Sequence, residues 1–393
     1  MKKNVFFAAA FTLIAGMTFA QSNTSTVNQK GMNQTAKVNQ MGSTNSSDVK
    51  QGGTTMPVSR DNWAEVEQDG TGNQSSIKQD NRRNQAYATQ KGADNIAMQR
   101  QDMRANDNLA VVEQHGERNS ADQLQSGVSN SNSAIIYQGQ DGNGAVGNTA
   151  RQYQNTFSGN NAALIEQTGD NNYAEQDQNG ISAYNTAKAY QSGDNNRADQ
   201  TQSLISAGNE AMIMQSGDNN SAAQTQEYVS ALNNAYINQS GDNNTADQRQ
   251  IWVSGANTAE IMQVGDGNEA VQYQQGVSGA NYAGALQTGN GNYASQYQQD
   301  LSGAYNAAII VQSGDDNNAY QVQTQGGANY AELTQSSNEN YSLQQQEGFM
   351  NSSVVTQMGS TGNSSTVFQS GMGQMSTVMQ NGRNNTATVT QSN

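Results

Sequence analysis

The stretch that decides the fold reads Asn161-x-Ala163-x-Ile165-x-Gln167-x-Gly169-x-x-Asn172-x-Ala174-x-Gln176-x-Gln178. Within each half the named residues fall at every second position, the spacing of one face of a β-strand. The pattern returns at Asn185, with Ala187, Ala189, Gln191, Gly193, Asn196, Ala198, Gln200 and Gln202. It returns again from Asn209 through Ile213, Gln215, Gly217, Asn220 and Gln224 to Gln226, and further copies open at Asn233, Asn257, Asn281, Asn306 and Asn329. Each copy holds two half-repeats, 11 and 13 residues long in this stretch. Traced outward, half-repeats open at 31 positions between Asn23 and Asn385, so a single array is expected to fill residues 21–393. The register breaks between Gly52 and Asp61, around the lone Pro57, and an insertion separates Gln138 from Asn148.

A period of 11 residues also suits a right-handed helical coil. The strict alternation argues against it, and a glycine in most half-repeats would cost a helix about 1 kcal/mol each time. The expected fold is therefore all-β: a flat β-solenoid with two strands per rung and about 15 repeats, cross-β when polymerised. The corner glycines Gly169, Gly193, Gly217, Gly241 and Gly265 supply positive φ beside turn-forming Asp and Asn.

Folding one half-repeat onto the next sets Gln167 against Asn172, Ile165 against Ala174, Ala163 against Gln176 and Asn161 against Gln178. Large then opposes small in a thin core. Buried amides are costly when unpaired. Stacking would place each over its equivalent in the next rung, donor over acceptor, as in cross-β ladders. The columns so assigned hold Asn161, Asn185 and Asn209; Gln167, Gln191 and Gln215; Asn172 and Asn220; Gln178 and Gln226. The pattern is already in register at Asn23, Val27 and Gln29 and still in register at Asn385, Val389 and Gln391. These residues are expected to form open end strands that add further copies head to tail, an association that does not close on itself.

Composition narrows the function. The chain has 33 acidic and 18 basic residues, net −15. Residues 1–20 read as a cleaved export signal: Lys2 and Lys3, an apolar run from Val5 to Met17, then small residues before Gln21. Removing that segment takes away two lysines and no acid, leaving −17, which argues against nucleic acid as a partner. There is no cysteine, hence no disulfide and no thiolate metal site. Mean hydropathy of −0.83 would suggest disorder but for the order of the residues.

The signature from Asn209 to Gln226 resembles the curlin repeat of bacterial curli fibres, and the likeness extends over residues 23–391. That resemblance implies a secreted subunit that polymerises at the surface of a Gram-negative-type cell into amyloid fibres of the biofilm matrix, supporting adhesion and cell aggregation. The chain itself is then the main partner, and a nucleator subunit and an outer-membrane secretion channel are implied beside it. In that family the stacked Gln and Asn positions drive assembly. Where curlins carry a Gly-rich targeting segment after the signal, the repeats here begin within a few residues of Gln21.

Other signals are weaker. Asp170, Asp194, Asp218, Asp242 and Asp266 recur at the corner, open to three readings: a calcium-binding edge, a charge brake on assembly, or turn chemistry. Tyr173, Tyr282, Tyr293, Tyr330 and Tyr341 recur at outward positions, as aromatic stripes for packing or as ordinary strand formers. His115, the lone histidine, has no nucleophile or carboxylate cluster with it, and no cofactor or enzymatic activity is expected. The competing expectation is a monomeric secreted β-solenoid adhesin or ligand-binding surface protein.

Overall fold

A computed structural model describes residues 22–393 except 53–58, 103, 129, 140–143, 156, 229, 252–253, 277 and 300–304. The export signal and the centre of the register break lie outside the described residues. The described residues form no helix. Alternate half-repeats stack into two parallel sheets, one opening at Thr24–Gln29 and the other at Thr35–Ser43. The first holds sixteen strands in a row and the second fifteen, one strand for each half-repeat start read from the sequence. Every lateral pairing is parallel and joins equivalent residues, such as Gln167 with Gln191 and Gln176 with Gln200. The expected β-solenoid is the fold observed.

Strand burial alternates strictly, and the inward positions are those of the repeat. Ile165, Ile213, Ile237, Ile261 and Ile310 line one wall of the core at 0% exposure, and Ala174, Ala198, Ala222 and Ala270 line the other at 2% or less. Large faces small across the core, which lets the side chains of the two walls interdigitate.

The insertion after Gln138 does not interrupt the stack. Ser133–Gln138 continues the second sheet, and Ala145–Val146 then pairs with Gly116 and Glu117, completing the row. On the other side of the break near residue 52, Arg60 bridges to Met32 and to Arg82, so the second corner is back in register before Trp63–Thr71 begins.

Two strands per rung is incomplete for the middle of the array. There the 13-residue half-repeats carry a third short strand at the second corner: Phe157–Gly159, Ile181–Ala183, Ile205–Ala207, Ser230–Ala231, Ser254–Gly255 and Ser278–Gly279, forming a six-stranded parallel ladder of their own. The two extra residues are what an 11-residue half-repeat lacks, and they square off one narrow edge of the rod. Phe157, Ile181, Tyr184, Leu204, Tyr228 and Leu232 stand exposed along that edge.

Candidate assembly site

The glutamines build the columns most fully. In the first sheet sixteen of them, from Gln29 through Gln178 and Gln226 to Gln391, form one chain of amide bonds in which each Nε2 donates to the Oε1 of the next rung at 2.7–2.9 Å. In the second sheet an equally unbroken column runs from Gln40 through Gln167, Gln191 and Gln215 to Gln380. From Gln40 and Gln51 onward, an N–H of each amide also crosses the core to a backbone carbonyl of the opposite sheet, as Gln178 does to Ala162 at 3.2 Å and Gln215 to Arg197 at 2.9 Å. Between the end rungs each glutamine of these two columns thus has its oxygen and both N–H groups engaged, and escapes the penalty of about 1–3 kcal/mol for an unsatisfied group.

A third column stands at the inward position of Gln176, as the folding of one half-repeat onto the next implies. Gln99, Gln123, Gln152, Gln176 and their successors to Gln344 form a further unbroken ladder. It is bounded by aliphatic residues at the same position: Val27, Val49 and Ile77 before it, Val367 and Val389 after it.

The asparagines do something different, which corrects the expectation of Asn-over-Asn amide ladders. Asn161, Asn185 and Asn209 open strands of the second sheet, and Asn172 and Asn220 open strands of the first. In each column the Oδ1 of one Asn accepts from the backbone N–H of the next: Asn185 N to Asn161, Asn209 N to Asn185, and Asn196 N to Asn172, at 2.9–3.0 Å. In the first sheet Nδ2 reaches the corner glycine carbonyl of the following rung, Asn172 to Gly193 and Asn220 to Gly241, both at 2.7 Å. At the strand opening the side chain lies within reach of backbone groups of the neighbouring rungs as well as of its own equivalent. It therefore closes the backbone groups that the turn leaves open. Side chain to side chain bonds join the Asn column only in part, as between Asn292 and Asn268 at 3.1 Å. The two kinds of column run in opposite senses, Gln donating toward higher-numbered rungs and Asn backbone donating toward lower ones.

The corner glycines Gly169, Gly193, Gly217, Gly241 and Gly265 all have positive φ, between 87° and 113°. The corner carboxylates serve the backbone: Asp194 accepts from the N–H of Asp170, Asp218 from Asp194 and Asp242 from Asp218, each at 2.8 Å. Asn290 does the same for Asp266 at 2.8 Å, so the position needs an acceptor rather than a charge. Asp218→Asn is accordingly expected to leave the urea midpoint nearly unchanged, and Asp218→Ala to lower stability by about 1 kcal/mol. Equal losses in the two variants would mean that the charge itself matters. Among the described residues no group of three His, Asp or Glu side chains is placed to hold a metal ion.

The end-strand residues lie where expected. Asn23, Val27 and Gln29 are half-buried on or beside Thr24–Gln29, and Asn385, Val389 and Gln391 on or beside Thr386–Ser392. Among the described residues these two strands, with Thr35–Ser43 and Met375–Gly382, each pair on one side only. On the outer face, Tyr173 bonds Glu175 and packs under Arg197, 4.6 Å from the ring centroid. Asp177 is pushed up to about 6, by burial first and then by Glu175. His115 sits 3.1 Å from Glu113 in an outward position.

These features define a repeat-built parallel β-solenoid whose core is held by amide columns. A family model described as curlin associated repeat matches residues 360–392, which span the last turn of that solenoid. No curated protein matches the chain.

Proposed function

We propose that this protein is a non-enzymatic structural subunit that assembles head to tail into extracellular, curli-like cross-β fibres of a bacterial biofilm matrix. The observation that carries the reading is the likeness of the two outermost described rungs. One presents Asn23, Val27 and Gln29 beside Gln34, Val38 and Gln40; the other presents Asn385, Val389 and Gln391 beside Gln374, Val378 and Gln380. Each has valine where most central rungs have Gln in the third column, and Gln34 and Gln374 replace the Asn that opens the intervening strands of that sheet. Set one on the other, valine meets valine. The amide of Gln391 then points its donors at the oxygen of Gln29, with the same polarity as every ladder bond within the chain. Unpaired edges of this kind are templates for further strands. The match to the curlin associated repeat supports the same reading. Export, a cell-surface location, a nucleator and an outer-membrane channel follow as parts of it.

The test is electron microscopy with fibre diffraction on residues 21–393, released from denaturant and left undisturbed. Fibres with a meridional reflection near ~4.8 Å are expected. A stable monomer rich in β-structure would overturn the proposal and leave the adhesin reading, which the apolar edge from Phe157 to Leu232 favours, since such an edge suits a partner surface.

A further inference from the structure

Five tyrosines share one outward face on four consecutive strands of the first sheet: Tyr273 on Glu269–Gln275, Tyr293 and Tyr297 on Tyr293–Gln299, Tyr320 on Asn318–Thr324 and Tyr341 on Tyr341–Phe349. Register brings them together. Tyr273 pairs directly with Tyr297, and their rings are parallel within 2° at a centroid distance of 5.1 Å. Tyr320 lies between Tyr293 and Tyr341, at 5.3 and 5.7 Å, with planes inclined by 40° and 46°. The first four are half-buried and Tyr341 is 39% exposed, so small oxidants reach all five. Burial, then the neighbouring tyrosines, raises the phenols of Tyr273 and Tyr320 above their ordinary value. Both are therefore neutral at physiological pH, and oxidation must remove a proton with each electron.

We propose that this face is an oxidative cross-linking site, at which hydrogen peroxide and a haem peroxidase join Tyr273 to Tyr297, and Tyr320 to Tyr293 or Tyr341, as dityrosine. Each phenol gives one electron and one proton to the oxidant. The two radicals couple through the ring carbons ortho to oxygen, and the hydrogens on those carbons move to the oxygens to restore two phenols. Two tyrosines and one peroxide yield one dityrosine and two waters. The spacing between neighbouring strands does the work that chance encounter does in a flexible chain, because reacting groups held side by side behave as if at very high concentration. Each bond would tie one rung covalently to the next. Tyr236, between Met212 and Glu260 in the other sheet, offers an internal comparison.

The inference does not rest on fibre formation, since every link lies within one chain. The test treats the folded full chain with peroxidase and peroxide, then maps linked peptides by mass spectrometry and follows the blue fluorescence of the biphenol. Peptides joining Tyr273 to Tyr297, lighter by two hydrogens, are expected about tenfold or more above any link to Tyr236. That preference is expected to vanish in the denatured chain. Tyr297→Phe is expected to abolish the Tyr273 link and leave those of Tyr320, and a mixture with isotope-labelled chains should give unmixed pairs. Links to Tyr236 as frequent as Tyr273–Tyr297, or equal yields from folded and denatured chain, would overturn the proposal.

Discussion

Gln215→Glu is expected to cost the array about 3 kcal/mol or more at neutral pH, a large loss for a change that hardly alters shape. Gln215 is 3% exposed and uses its whole amide: Oε1 accepts from Gln191, and Nε2 donates to Gln239 and to the carbonyl of Arg197, all at 2.9 Å. A carboxylate in its place has no donor, faces two acceptors and carries a charge into a dry core. Its folded pKa must lie above the unfolded value of about 4.3. The charge penalty is therefore absent below that pH and grows as pH rises through the folded pKa. Urea unfolding followed by circular dichroism at neutral and acid pH would show a loss that shrinks on acidification. A midpoint equal to the parent's at neutral pH would mean that the ladder contributes little.

Gly217→Val is the second large effect, expected at about 3 kcal/mol or more. With φ of 101°, a Cβ on Gly217 would stand 2.3 Å from the carbonyl oxygen of Gly241 and 2.8 Å from its carbon. Backbone cannot yield as a flexible side chain can, so the rungs would have to part at that corner. Gly267 is the control: its φ is 65°, but nothing lies within 4 Å of an added Cβ. Gly267→Ala should therefore cost only the left-handed conformation, about 1 kcal/mol. Equal losses at the two sites would show that conformation alone, and not the close approach of successive corners, makes glycine necessary.

The contrast between these glycines marks how far the sequence could be read. Positive φ at Gly217 follows from its place between strand and turn, but the carbonyl of Gly241 beside it belongs to a residue 24 positions away and is visible only once the rungs stack. The two-sheet stack itself was legible, because alternation of Asn161, Ala163, Ile165 and Gln167 leaves little room for another period. The Gln columns were legible for the same reason. The role of Asn was not: an amide that bonds its own kind and one that bonds backbone demand the same residue at the same place. The third ladder did leave a signal. An apolar residue, serine and a small residue recur at Phe157-Ser158-Gly159, Ile181-Ser182-Ala183 and Ile205-Ser206-Ala207, where the half-repeat gains its two extra residues. A strand only two or three residues long is too short for alternation to reveal it. The column from Gln99 to Gln344 was legible at Gln176, Gln200 and Gln224 but its limits were not, since Val49 and Ile77 break the residue identity without breaking the inward position.

Because neighbouring rungs are joined by one continuous chain and held by parallel ladders, tension along the rod can open it only from an end, one rung at a time. A rung such as Asn209 to Leu232 frees 24 residues as it peels. Stretched out, that is roughly 80 Å of chain drawn from about 5 Å of rod. The rung beneath is left as well braced as the one just lost, so the resistance does not fall as unravelling proceeds. A rod built this way yields to a pull in steps and absorbs work at each one, as a shock-absorbing tether does.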